Sequence, residues 1–381
     1  MKKKVLLLMA SALLMLAMVP AAFAAETPVS NEAELTAALS TAANGDTITL
    51  SADITLTKPV DVNTAITIDG GANKYALTAP AGQHVLNIPA NAVTVKNVTL
   101  NASGAGYAIN ATGSKLTVTD CNINAVQRGI SFYPKNGQGA ALTVSGTKIK
   151  NPDIANYETD AKYGDYRGIA TMNVQRGKVS VTDSEILGYG YSLNASVKND
   201  ATGLRDGQNT VFDIKNTTIK GWTALNMWSA NSAFNFTNCH LTGISQLNGE
   251  DNNYATINMN GGIYANDPNN GTKVTFAGGT IDCYQYGTAA QLPFFVDDER
   301  FSVFQFEEYD LEPVVITSHV LPNVSTPTFG FIGATQEQMQ HFIDNNLIGL
   351  ENLSIYSAPI ATNAVSVFSA TQHPLFASFD A

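Results

Sequence analysis

The sequence predicts an all-β solenoid, a chain wound into stacked coils whose strands pair in parallel, and three observations lead there. The first is a recurring motif. VTVKNVTL, KLTVTDCNI, ALTVSGTKI, KVSVTDSEI, VFDIKNTTI, AFNFTNCHL and KVTFAGGTI each hold an alternating strand, a bend residue, a small residue and a closing aliphatic. The alternation, Leu116 and Val118 against Thr117 and Thr119 for example, is the period of a strand with one buried face. The second is spacing. The closing residues Leu100, Ile123, Ile149, Ile186, Ile219 and Leu241 stand 23, 26, 37, 33 and 22 residues apart, a coil of about 22 carrying loop insertions. INMNGGIY, ending at Tyr264, and VTFAGGTI, ending at Ile281, extend the series by steps of 23 and 17, and ITIDGG at 66–71 precedes it. The third is corner chemistry. Asn97, Asp120, Gly146, Asp183, Asn216, Asn238 and Gly278 all tolerate left-handed backbone, and Val98, Cys121, Thr147, Ser184, Thr217, Cys239 and Gly279 after them are all small.

Taken from the N-terminus, residues 1–24 form a signal peptide. Lys2, Lys3 and Lys4 precede the apolar run VLLLMASALLMLAMV, and Ala22-Phe23-Ala24 is a small-x-small cleavage site. The run falls short of the roughly 20 apolar residues of a membrane-spanning helix. The chain is therefore expected to be secreted or at the cell surface, with no membrane insertion after signal removal. A lysine-led, alanine-rich signal of this kind looks bacterial.

Residues 25–45 hold SNEAELTAALSTAANG, an amphipathic helix with Asn31 and Glu34 as a capping box and Leu35, Ala38, Leu39 and Ala42 on one face. With the repeats over 46–289, this arrangement resembles the right-handed parallel β-helix of the pectate-lyase-like architecture. In that family such a helix plugs the open end of the solenoid, where strand edges and core would otherwise meet water. An antiparallel sandwich is the rival, but it predicts neither a shared period nor a shared corner.

After residue 290 the corner signature ends. LPFFVDDERFSVFQFEEYDLEPVVITSHVLP is aromatic and acidic, and QEQMQHFIDNNLIGL reads as a short helix with Met339, Phe342 and Ile343 on one side. Residues 290–381 are expected to be a C-terminal cap or small accessory domain.

Composition narrows the function. A net charge of -11 with 21 Lys plus Arg argues against a nucleic-acid partner, whose phosphates demand a basic face. Cys121 and Cys239 share one column several coils apart, so they read as small core residues and not as a disulfide. Asn-x-Ser/Thr triplets at Asn97, Asn110, Asn194, Asn216 and Asn235 read as corner and outer-face residues, with glycosylation the alternative in a eukaryotic route.

Loop insertions on a solenoid collect on one face and often build its binding surface. Arg128 lies five residues past Ile123, and the repeated Arg-Gly-Ile at 128–130 and 167–169 aligns it with Arg167 one coil away. Two stacked guanidiniums repel unless something anionic lies between them. Asp160, Asp165 or Glu158 of the insertion NPDIANYETDAKYGDYRG would serve, or else a carboxylate or sulfate of a bound acidic glycan, held by the bidentate geometry of Arg. In the second case Tyr189 and Trp222, each three past its closing aliphatic, are expected to face outward as a stacking platform for sugars, although outward aromatics in neighbouring coils also simply pack on one another.

The resemblance implies what an enzyme would need. Lyases of this architecture cluster acidic calcium ligands with a basic residue, and the related hydrolases carry close-spaced Asp with Gly-His-Gly. The repeats contain no Gly-His-Gly, no Asp-Asp pair and no run of Asp on one strand; Asp297-Asp298 lies outside them. No catalytic residue, metal or cofactor is assigned. The expectation is an exported surface-binding or adhesin-like protein recognising a glycan or cell-surface polymer, the alternative being a polysaccharide lyase or glycoside hydrolase.

Overall fold

In a computed structural model of the chain, every strand pair among the described residues is parallel, and one continuous sheet winds through the molecule without closing into a barrel. The protein is an all-β parallel β-helix. The structure describes residues 24–153, 166–195, 209–227 and 232–244, with strand segments at 257–259, 272–285, 294–296, 302–306, 314–320, 331–332 and 353–357.

Each coil contributes to three strand ladders. Val93–Lys96, Thr99–Ala102 and Tyr107–Ala111 make one coil, and Lys115–Thr119, Asn122–Ala125 and Arg128–Phe132 stack on it in register. In the second ladder Leu77, Leu100, Ile123, Ile149, Ile186, Ile219 and Leu241 are successive partners, all fully buried. Each such side chain contributes roughly 1.5–3 kcal/mol by leaving water. That column is the backbone of the core, and its spacing is what made the repeat visible.

The corner between the first and second ladders takes left-handed backbone at Asn97, Asp120, Gly146, Asp183, Asn216 and Asn238, with φ between 48° and 56°. Short polar side chains reduce the cost of that conformation by bonding locally. Asn97 Nδ2 donates to Asp69 Oδ1 at 3.1 Å, Asn216 to Asp183 at 3.0 Å and Asn238 to Asn216 at 3.1 Å. The small column behind the corner is buried, and it is also wired. The Cys121 amide donates to Thr147 Oγ1 at 3.3 Å, and the Thr147 amide to Ser184 Oγ at 3.2 Å.

One copy of the motif was misplaced by the sequence reading. Leu241 pairs directly with Ile281, so the steps of 23 and 17 residues are a single coil of 40. Ile257–Met259 instead pairs with Leu225, Asn226 and Met227 on the third ladder, and Tyr264 lies outside the described residues. Beyond residue 290 parallel pairing continues, with Ile281 opposite Ile316 and Ile316 opposite Ile355. The expected helix around Met339, Phe342 and Ile343 lies outside the described residues.

At the N-terminal end a strand, Glu26–Val29, pairs with Thr47–Leu50, and a helix over Glu32–Thr41 follows it. Asn31 Oδ1 accepts from the Glu34 amide at 3.0 Å, while Glu34 reaches back to the amide of Ser30 at 2.7 Å and not to that of Asn31. Leu35 and Ala38 are buried, and Leu39 and Ala42 pack against the core. Among the described residues no helix is long and apolar enough to cross a membrane.

Candidate functional site

On the third ladder the chain places two consecutive residues inward. Along Tyr107–Ala111 and Arg128–Phe132 burial runs half-buried, buried, buried, and the pairing passes from Tyr107–Arg128 to Ile109–Ile130. The first inward residue must be small: Ala108, Gly129, Gly168 and Ser192 occupy it in turn. A Cβ on Gly129 would collide with the Ile149 side chain and lie 2.6 Å from the Gly168 carbonyl oxygen; one on Gly168 would strike Ile186 and lie 2.6 Å from Ser192 O. This is why Arg-Gly-Ile repeats: the glycine admits the bend that turns the arginine out and the isoleucine in.

The residues turned out form one column. Tyr107, Arg128, Arg167 and Tyr191 are successive register partners; Thr223, the next partner, is fully buried and ends the outward run. His84 precedes them, its ring stacked on Tyr107 at 4.3 Å and its Nδ1 accepting the Tyr107 amide at 3.0 Å. Arg128 Cζ lies 4.8 Å from the Tyr107 ring centroid, and Arg167 Cζ 4.2 Å from that of Tyr191. Arg167 also donates from Nη1 to the Tyr166 carbonyl at 3.1 Å. The two arginines thus stand side by side, as their sequence alignment predicted, and each lies over a different tyrosine.

Arg128 is the electrostatic anomaly. Among the described residues no carboxylate pairs with it, and its Nε is buried without a hydrogen-bond partner; Thr223 Oγ1 is the other such atom. A buried donor without a partner costs about 1–3 kcal/mol. The charge is felt nearby. Burial, and then the Arg128 guanidinium, hold the His84 imidazole below its ordinary pKa.

Three residues further along each strand, a second outward column runs Asn87, Asn110, Ser131, Ala170, Asn194, Asn226. Asn87 donates to Asp61 at 3.0 Å, Asn110 to Asn87 at 3.2 Å and Asn226 to Asn194 at 2.6 Å. The amides are interrupted by the two small residues in the arginine coils, Ser131 at 7% and Ala170 at 5% exposure. Beside the guanidinium pair the second column is therefore buried, and Asn194 and Asn226 beyond it are buried as well, at 4% each.

The expected sugar platform of Tyr189 and Trp222 is corrected by the structure. Both are 0% exposed. A register shift between Leu187 and Tyr189 pairs Tyr189 with Gly221, so equal distance from the closing aliphatic does not make the two residues neighbours in a column. Tyr189 points into the core and donates its hydroxyl to the Ala125 carbonyl at 2.8 Å, and burial pushes its phenol pKa far up. The outward aromatics are Tyr107 and Tyr191. Five residues past Ile186 is Tyr191, so the count that located Arg128 finds it too. Asp160, Asp165 and Glu158 lie outside the described residues. Among the described residues no group of three or more His, Cys, Asp or Glu could hold a metal. No protein-family profile, curated protein or solved structure matches the chain.

Proposed function

We propose that the chain is an exported, pectate-lyase-like right-handed β-helix that binds a glycan or cell-surface polymer through the outer face of its third ladder. The observation that carries this reading is the in-register pair Arg128 and Arg167, set among tyrosines and asparagines, with no carboxylate on Arg128 among the described residues. A guanidinium with unused donors is matched by a carboxylate or sulfate, which it grips with two parallel hydrogen bonds. Hydroxyls of neighbouring sugars suit the amides of Asn87 and Asn110.

The tyrosines act differently from a sugar platform. One face of the Tyr107 ring carries His84 and another contact is Arg128, so the rings order the guanidiniums and offer edges to the ligand. The test is a glycan array probed with the signal-free protein and with Arg128→Ala. Binding to acidic glycans that the variant loses supports the reading; no binding to any glycan, or binding that the variant retains in full, overturns it.

A further inference from the structure

The N-terminal end of the solenoid holds a cavity of its own. It is half-open, about 210 Å³ in volume, and lies between the capping helix Glu32–Thr41 and the strand Val60–Asp61 with its flanking residues. We infer that it is a binding site for a single uncharged sugar residue, separate from the arginine coils.

The fold makes this cavity from an open strand edge and a helix. Val60–Asp61 is the first strand of the third ladder and pairs on one side alone, with Leu86 and Asn87. The amides of Val60 and Val62 donate to the Val85 and Asn87 carbonyls at 3.0 and 2.8 Å, so the amide and carbonyl of Asp61, between them, are turned to the open edge. Glu32 fastens the helix beside that edge: its Oε1 accepts from the Thr57 amide at 2.9 Å and from the Thr57 hydroxyl at 3.0 Å. Those bonds hold its carboxyl below the usual range, so at neutral pH it is an acceptor. Thr36 and Ser40 follow Glu32 at helical spacing on the cavity side. Their hydroxyl protons go to the carbonyls of Glu32 and Ala37, at 2.8 and 2.7 Å, which leaves their oxygens to accept.

The lining has both halves of sugar chemistry. Lys58, Asn63 and the Asp61 amide donate, while Glu32, Asp61, Thr36 and Ser40 accept. Asp61 spends only Oδ1, on Asn87 at 3.0 Å. Sugar hydroxyls each give and take a hydrogen bond, and Leu39 and Pro59 supply an apolar patch for the C–H face of a ring. Two carboxylates stand against one ammonium, so an added anion meets net repulsion and an uncharged ring does not. Size sets the limit at one ring: the cavity has room for about seven waters at roughly 30 Å³ each, below the ~300 Å³ at which sites for larger ligands begin. Asp61 also begins the hydrogen-bonded chain Asp61–Asn87–Asn110, which runs along the axis toward the arginine coils, yet the ligand class follows from the cavity's own groups.

The test is an NMR titration of the isotope-labelled, signal-free protein with glucose, galactose, mannose and N-acetylglucosamine, and with galacturonate and glycine as acidic and zwitterionic comparisons. Ser40→Tyr fills the cavity from an exposed helix position, and Asp61→Ala removes one carboxylate from an exposed strand position. The expected result is a saturable shift of the Thr36, Ser40, Asp61 and Asn63 amides with at least one neutral sugar, and binding of galacturonate about tenfold weaker or less. Each variant should lose about tenfold or more in affinity at an unchanged unfolding temperature, and Arg128→Ala should have no effect. If Ser40→Tyr unfolds the helix, Asp61→Ala alone decides. The inference is overturned if none of the four sugars shifts those amides, if neither variant weakens binding, or if galacturonate or glycine binds more tightly than the neutral sugars. A filled cavity beside a blank glycan array would strike the arginine reading and leave this one. Array binding that Arg128→Ala abolishes, beside silent cavity amides, would do the reverse.

Discussion

Arg128 and Arg167 are register partners one coil apart, yet their guanidiniums lie over different rings, Tyr107 at 4.8 Å and Tyr191 at 4.2 Å. Two like charges in adjacent coils are thereby each given a ring of their own. Losing the Arg128 cation–π contact costs about 0.5–1 kcal/mol. Removing its buried, unpaired Nε offsets that. Arg128→Ala should therefore shift urea unfolding by no more than about 1 kcal/mol while lowering acidic-glycan affinity at least tenfold. Arg128→Lys should not restore binding, because an ammonium lacks the planar fork.

The glycines of the two Arg-Gly-Ile segments should resist the smallest substitution. Gly129→Ala and Gly168→Ala place a methyl against Ile149 and Ile186 and close to backbone oxygens in the next coil. Overpacking of this kind costs about 1–3 kcal/mol. Chemical denaturation should show the loss for each variant, with binding reduced as well, since the bend aims the arginine. An unchanged midpoint would mean that the ladder can open at that point.

Trp222 should behave as core. Truncating a fully buried tryptophan costs about 3–5 kcal/mol, so Trp222→Ala should lower the unfolding temperature sharply. Tyr189→Phe removes one buried hydroxyl and strands the Ala125 carbonyl, a loss of about 1 kcal/mol. Neither change touches the outward column.

His84 should titrate below an ordinary histidine. Burial comes first among the causes and the Arg128 charge second, so Arg128→Ala should raise the pKa only part of the way back. The sign for stability follows from proton uptake. The unfolded chain, with its histidine near 6.5, binds a proton that the folded one refuses, so stability is full above about pH 6.5 and declines as pH falls toward the lowered folded value. Two-dimensional NMR of the imidazole through pH 4–8 measures this, and a pKa at or above 6.5 would contradict the stacked, desolvated position.

Cys121 and Cys239 should be chemically silent until the coils open. Burial pushes the first thiol up to about 11 and the second to about 12. Both are free, and they sit four coil steps apart in the small column, about 19 Å, well past the roughly 7 Å limit for a disulfide. A thiol reagent at pH 8 should label neither in the native protein and both in denaturant without reductant.

The sequence made the coil register legible because each copy must end on an aliphatic that stacks under the next. Arg128 opposite Arg167 was legible for a related reason: only glycine fits behind them, so Arg-Gly-Ile survives a long insertion between the copies. The inward turn of Tyr189 and Trp222 was not legible. Counting from Ile186 and Ile219 assumes an unbroken strand, and the shift after Leu187 moves every later residue by one place. INMNGGIY was misread for a simpler reason. Its strand has the same composition whether it belongs to the second ladder or the third, and only the pairing of Ile257 with Leu225 tells them apart.

The hydroxyl of Tyr189 meets the carbonyl of Ala125, 64 residues back and two coils away, passing inside the coil between. Gly168, in that middle coil, leaves the space; a methyl there would stand 3.1 Å from the tyrosine ring. Stacked-coil proteins behave as chains of nearest-neighbour units, in which one coil can detach while the rest hold. A tether reaching the second neighbour changes that arithmetic locally. The coils of Ala125, Gly168 and Tyr189 should come apart together, as one cooperative block in the middle of an otherwise divisible rod, and that block is the one that carries both arginines. Under a pulling force, the segment that carries the proposed binding face would be the last place for a fracture to start.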